Sequence, residues 1–258
     1  MNIFDSHCHL DDPSYANDLE QVIGRARSEG VVAALTVSVN LESSAKSVSI
    51  ATGHDGIYAS VGVHPHDAKT CREPDLLEMA ELARSPKVVA WGEMGLDYNR
   101  MHSPRKDQEA CFIRQIEMAG SLGLPMIFHE RDTNGRFLDL LTRHMSRDQT
   151  GVIHCFSGTR EELEAYLSLG LYIGVTGIVT IKTRGEGLRE LVRHIPDDRL
   201  LVETDAPYLI PAPQRNKGRR NEPAFVKSVL LKLAELKNSP IETFSGIIWE
   251  NTCRLFRL

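Results

Sequence analysis

The chain has 258 residues, 41% of them hydrophobic and 25% charged, with a formal net charge of -5; these values exclude a fibrous or disordered polymer and any coating of nucleic acid through global charge. Its five cysteines (Cys8, Cys71, Cys111, Cys155 and Cys253) are scattered and form no CxxC pair, which argues against a disulfide framework or a thiolate zinc site and fits a reducing cytosol. Met1 leads into a strand-like segment without the basic and apolar regions of a signal peptide, and no apolar run reaches membrane-spanning length, so a cytoplasmic location with no membrane partner is expected.

Short β-rich runs alternate with longer amphipathic ones along the whole chain, the pattern of repeated βα units around a parallel sheet. The expected strands are "IFDSHCH", "VVAALTVS", "IYASVGVH", "VVAWGE", "PMIFHE", "GVIHCF", "LYIGVTG" and "LLVETDAP". Helical stretches fall between them, for example around Asp18 to Ser28, Asp75 to Arg84, Pro104 to Leu122, Arg160 to Leu169 and Glu222 to Leu236, and "IETFSGIIWENTCRLFRL" closes the chain as an amphipathic helix. No linker divides these units, and "HCHLDDPSY" is not the glycine-rich phosphate turn that a doubly wound sheet carries after its first strand. The reading is one α/β domain over residues 1–258, a slightly distorted TIM-type (β/α)8 barrel.

Strand one carries Asp5, His7 and His9 on alternate positions, so they should share a face opposite Phe4, Ser6, Cys8 and Leu10. Strand three runs into His64 and His66, read as helix caps or substrate contacts. Strand four ends in Glu93, strand five in His129 and Glu130, strand six in His154, and strand eight in Glu203 and Asp205. In a βα barrel these ends lie on one face, where active sites are built. Imidazoles mixed with carboxylates suit Zn, Mn, Fe or Co, whereas carboxylate dominance would suit Mg or Ca. The set permits two adjacent cations, with His7 and His9 on one, His129 and His154 on the other, and Glu93 between them. Asp205 could ligate and also take the proton of an attacking water. His144 and His194 sit late in expected helices and are set aside.

Together "DSHCHLDD", "GVHPHDA", "GEMGLDYNR", "FHERD", "HCFSG" and "ETDAPYLIP…RRNEP" resemble, in order and over nearly the whole chain, the TatD family of metal-dependent deoxyribonucleases within the amidohydrolase-like barrels. The resemblance implies two divalent ions (Mg, Mn or Zn) on His7, His9, Glu93, His129, His154 and Asp205, with Glu93 bridging and Glu93 and Asp205 catalytic. It implies a DNase, often a 3′ to 5′ exonuclease; a role in DNA repair or degradation on single-stranded or frayed 3′ ends is expected, and no stable protein partner is inferred. Glu130 in "FHERD" departs from the usual family string, and no lysine stands at the fourth strand end, which favours the TatD-like branch over those with a carboxylated lysine. The basic stretch with Arg215, Lys217, Arg219 and Arg220 follows strand eight; Arg219 and Arg220, with His64 and Arg131, are the expected phosphate contacts, and Tyr98, Tyr208 or Phe156 the expected base stackers. The competing reading is an ester or amide hydrolase on the same barrel, such as an aminoacyl-tRNA deacylase.

Overall fold

The computed structural model describes residues 1–215 and 220–258. Its elements run β1 (Ile3–Cys8), α1 (Leu19–Ser28), β2 (Val31–Thr36), α2 (Leu41–Gly53), β3 (Ile57–Val61), α3 (Glu73–Leu82), β4 (Val88–Asp97), α4 (Arg105–Leu122), β5 (Met126–Arg131), α5 (Arg136–His144), β6 (Gly151–Ile153), α6 (Arg160–Ser168), β7 (Tyr172–Val175), α7 (Glu186–Val192), β8 (Leu200–Val202), α8 (Val226–Leu236) and α9 (Ile241–Phe256). The strands pair in parallel in sequence order, β1 to β8, as a (β/α)8 barrel. Between β1 and β8 the seam is short: Cys8 bridges Ala206, the His9 N–H donates to the Ala206 carbonyl at 2.7 Å, and the Asp205 N–H donates to the His7 carbonyl at 2.9 Å. The bonds that complete the barrel therefore also fix three of the candidate site residues.

Two apolar clusters explain where the site sits. Phe4, Leu35, Val89, Ile127, Val152 and Leu201 form one cluster, with Trp249 and Phe256 of α9 packed against it. Ile127, Val152 and Leu201 stand two positions before His129, His154 and Glu203, so along each strand an apolar residue is followed on the same face by a polar one. This makes an apolar floor beneath a polar mouth, and α9 closes the far end. The larger cluster, including Ala34, Ala59, Trp91, Phe128 and Ile153, lies between strands and helices.

Local signals set the helix ends. Asn40 caps α2 by accepting from the Ser43 N–H at 3.0 Å, and Thr159 with Glu162 forms a capping box at the start of α6. Pro104 stands just before α4 rather than inside its first turn. His144 is the last residue of α5, and His194 lies two residues beyond α7. Among the described residues no helix is long and apolar enough to cross a membrane.

Candidate metal centre

Glu93 is the centre of the site, and two glycines bring it there. Gly92 has φ 142°, and a Cβ on it would stand 2.4 Å from the Ile127 carbonyl oxygen; Gly95 has φ 149°, and its Cβ would meet the His129 carbonyl oxygen at 1.9 Å. Only glycine allows β4 to lie this close to β5 in that backbone conformation. The strand continues past the expected end at Glu93 to Asp97 and carries a register shift against β5 between Trp91 and Met94. Glu93 is 3% exposed.

Five imidazoles converge on its two oxygens. His7 Nε2 lies 3.3 Å and His9 Nε2 4.0 Å from Oε2; His129 Nδ1 lies 2.7 Å, His64 Nε2 3.6 Å and His154 Nε2 3.9 Å from Oε1. Asp205 Oδ1 completes the ring, 3.4 Å from His9 Nε2, 3.7 Å from His154 Nε2 and 3.9 Å from His7 Nε2. His7 and His9 point their Nε2 atoms at each other across 3.3 Å, and His64 Nε2 faces His129 Nδ1 across 3.3 Å. Ring nitrogens facing each other in this way need a proton or a cation between them. The donor set therefore fits divalent cations. Ligand atoms within 4.8 Å of one another group as His7, His9 and Glu93, as His7, His154 and Asp205, and as His64, Glu93 and His129. His154 thus stands with His7 and Asp205 rather than beside His129, and His64 takes the place next to His129.

A second layer orients these rings. Glu203 Oε1 lies 2.9 Å from His154 Nδ1 and accepts from the Cys155 N–H at 2.6 Å, so Glu203 stands behind the ring. Asp97 Oδ2 lies 3.4 Å from His129 Nε2 and 2.8 Å from His66 Nε2. His9 Nδ1 lies 2.8 Å from the Val37 carbonyl. Carboxylates and carbonyls in such positions fix which nitrogen of an imidazole faces inward. Asp97 and Glu203 were not assigned this part from sequence, although both lie inside the motif strings "GLDY" and "ETDAP".

Asp5 departs from the expectation for strand one. A register shift between Asp5 and Cys8 breaks the alternation, and the Asp5 carboxylate turns to β8, accepting from the Thr204 N–H at 2.8 Å and the Thr204 hydroxyl at 2.6 Å. Phe4 accordingly packs with the floor, while Cys8 and Leu10 pack in the outer cluster.

The expected substrate contacts divide. His64 does cap the following 3-10 turn, its Nδ1 accepting from the His66 N–H at 3.1 Å, while its Nε2 reaches the cluster. Arg131 is exposed at the end of β5 and is not among the residues lining the cavity above the cluster, whereas Arg100 is. Arg219 lies outside the described residues. Arg220 is committed elsewhere: its guanidinium pairs with Asp18 at 2.7 and 2.8 Å and with Glu222 at 3.2 Å, donates to the Ser14 carbonyl, and stacks over Tyr15. Glu130 accepts from the Thr133 hydroxyl at 2.6 Å and takes no part in the cluster. Of the aromatic candidates, Phe156 is buried in the core and Tyr98 donates to Glu109 at 2.7 Å beneath Arg105, but Tyr208 is 54% exposed at the mouth. The cavity, about 610 Å³, is lined by His9, Asp12, His64, Arg100, His129 and Asp205 among others.

The model of TatD related DNases matches residues 4–257. The chain belongs to this family. A 3'-5' ssDNA/RNA exonuclease TatD from Edwardsiella piscicida is 41% identical over 99% of this chain and 100% of its own length. A chain named as an uncharacterized metal-dependent hydrolase, YabD of Bacillus subtilis (strain 168), is 40% identical over 99% of both. Among solved structures, YJJV, a TatD homolog from Escherichia coli K12, superimposes with a TM-score of 0.91 at 30% identity over 99% of this chain and 98% of that one.

The electrostatics of this TatD-family site are those of a charged cluster held together by its own pairs. Burial opposes charge on His9, His129 and His154, yet each is raised to about 9: His9 by Asp205, His129 by its bonds to Asp97 and Glu93, and His154 by the charges of Glu203 and Glu93. Burial would raise Glu93, but His64, His154 and the bonds from His129 and His7 hold it well below the usual carboxylate range. Burial lowers His7 and His64, helped by their imidazole neighbours. Between pH 6.5 and 9 the native metal-free protein therefore binds more protons than the unfolded chain. The stabilisation from His9, His129 and His154 is complete below pH 6.5 and is lost as pH rises through about 9. Asp5, raised by burial to about 8, acts with the same sign over its own range, and the lowered His7 and His64 act below pH 6.5. The midpoint of thermal unfolding of chelator-treated protein is expected to fall from pH 6.5 to 9, and added Mn2+ to raise it more at pH 8.5 than at pH 6.5, because the cation displaces those protons. A flat or rising midpoint in the chelated protein would contradict this assignment.

Proposed function

We propose that this chain is a metal-dependent phosphodiesterase that removes nucleotides from the 3′ end of single-stranded DNA. The observation that carries the proposal is the convergence of His7, His9, His64, His129 and His154 on the two oxygens of buried Glu93, with Asp205 closing the ring. The family membership and the naming of full-length relatives as ssDNA/RNA exonucleases support the substrate class.

Two divalent cations are proposed, sharing Glu93, with His7, His9 and Asp205 on one side and His64 and His129 on the other; His154 stands on the Asp205 side. Cations so held would acidify water and offset charge on the attacking and leaving oxygens. The protein's own residues do the rest. Asp205 takes the proton of the attacking water, being ionised at neutral pH: burial opposes this, but the His9 bond and the His154 charge hold its pKa below the ordinary value. Arg100, at the cavity wall, donates to the scissile phosphate. Asp97 and Glu203 keep His129 and His154 turned inward.

Digestion of one oligonucleotide labelled at either end tests this reading. With metal, the 3′ label is expected to appear at once as mononucleotide while the 5′ label gives a descending ladder, and chelator should stop both. No cleavage under Mg2+, Mn2+ or Zn2+, a ladder from the opposite label, or release of the amino acid from aminoacyl-tRNA with DNA left intact would overturn it.

A further inference from the structure

Beside the catalytic cavity runs a second groove of about 480 Å³, lined by Arg184, Pro207, Tyr208, Leu209, Ile210 and Arg215. Tyr208 lines both. We propose that this groove is the exit track for the single strand, on which Tyr208 stacks the base next to the terminal nucleotide while Arg184 and Arg215 hold the following phosphates. The inference rests on the nuclease reading above and adds the path of the substrate.

Three observations carry it. First, Tyr208 is a fixed shelf at the boundary. Its amide donates to the Asp205 carbonyl at 2.8 Å, its carbonyl accepts from the Asn221 side chain at 2.5 Å, and its hydroxyl lies 3.4 Å from Asp12. The ring stands edge-on to His9, 5.9 Å between centroids, and 54% of the residue remains exposed. An exposed aromatic face three residues from Asp205 is placed to take a base with no preference for its sequence.

Second, the groove wall is built rather than loose. The Gly177 Cβ position would stand 2.6 Å from the Leu209 carbonyl oxygen, so the chain segments after β7 and β8 touch backbone to backbone, and the Ala212 N–H donates to the Thr180 hydroxyl at 2.8 Å. Arg184 comes from the first of these segments and Arg215 from the second.

Third, the charge is asymmetric. The lining of the catalytic cavity carries Asp11, Asp12 and Asp67 beside Arg100, whereas the lining of the second groove carries two arginines and no carboxylate. In that groove Arg184 and Arg215 are exposed and, among the described residues, no carboxylate pairs with either. In a chain of net charge -5, two unpaired guanidinium groups beside an exposed tyrosine match a phosphate and base repeat.

The test compares kcat/KM for a thymidine hexanucleotide with that for bis(p-nitrophenyl) phosphate, a diester too short to enter the groove. The double variant Arg184→Ala/Arg215→Ala is expected to lose at least tenfold of the preference for the hexanucleotide, through KM, and its salt slope should flatten by about 1.4 for two lost contacts to a single strand. Lysine at both positions should restore most of the slope. Tyr208→Ala should lose about tenfold of the preference, and Tyr208→Phe should keep it. An unchanged preference and slope in the double alanine variant would overturn the track while leaving the nuclease reading intact. If the wild-type protein hydrolyses neither substrate, the nuclease reading falls and the track falls with it.

Discussion

Glu93→Ala is expected to lower kcat/KM for DNA by about a thousandfold or more, close to 4 kcal/mol of transition-state stabilisation, without rescue by millimolar metal. The reason is geometric. Both oxygens of Glu93 are engaged, Oε2 towards His7 and His9 and Oε1 towards His129, His64 and His154, so its loss removes the shared anion from both proposed cation positions at once. Glutamine at this position should be nearly as damaging, since it keeps the shape and loses the charge that offsets the two proposed cations. Loss confined to a tenfold change would place Glu93 outside the metal centre.

Asp205→Asn is expected to bind DNA almost as tightly as the wild-type chain and to turn over about a hundredfold or more slowly, the scale for removing a general base. The substitution suits the backbone, because Asp205 has φ 55°, a left-handed conformation that asparagine also tolerates. Asparagine keeps one acceptor oxygen towards His9, His154 and His7 but cannot take a proton. Single-turnover rates with saturating metal separate the two effects. A near wild-type rate with metal retained would make Asp205 a spectator. Glu203 is then a poor substitute as base, since it stands behind His154, with Oε1 towards the Cys155 N–H and Oε2 against Gly174.

Much of the site was legible because the barrel turns a positional pattern into a place: polar residues two positions beyond an apolar strand residue arrive together at the mouth, as with Ile127 and His129, or Val152 and His154. What escaped has identifiable causes. The register shift in β1 sends Asp5 to Thr204, and strict alternation cannot foresee a shift. His64 was expected to cap or to touch substrate; an imidazole has two nitrogens, so capping His66 with Nδ1 leaves Nε2 for the cluster. Arg220 lies in a basic stretch that reads as a free patch, but its partner Asp18 lies 202 residues away in the chain and meets it only through folding. Arg184 carries no motif at all. Its place beside Tyr208 follows from the docking of the segments after β7 and β8.

The central claim is that Glu93 holds two cations. Elemental analysis of protein loaded with Mn2+ and freed of excess metal by gel filtration, run in parallel on the wild-type chain and Glu93→Ala, tests it most directly. The account predicts two ions per wild-type chain and fewer than one in the variant, with both still folded by circular dichroism. Two ions retained in Glu93→Ala, or a single ion in the wild-type chain, would contradict it.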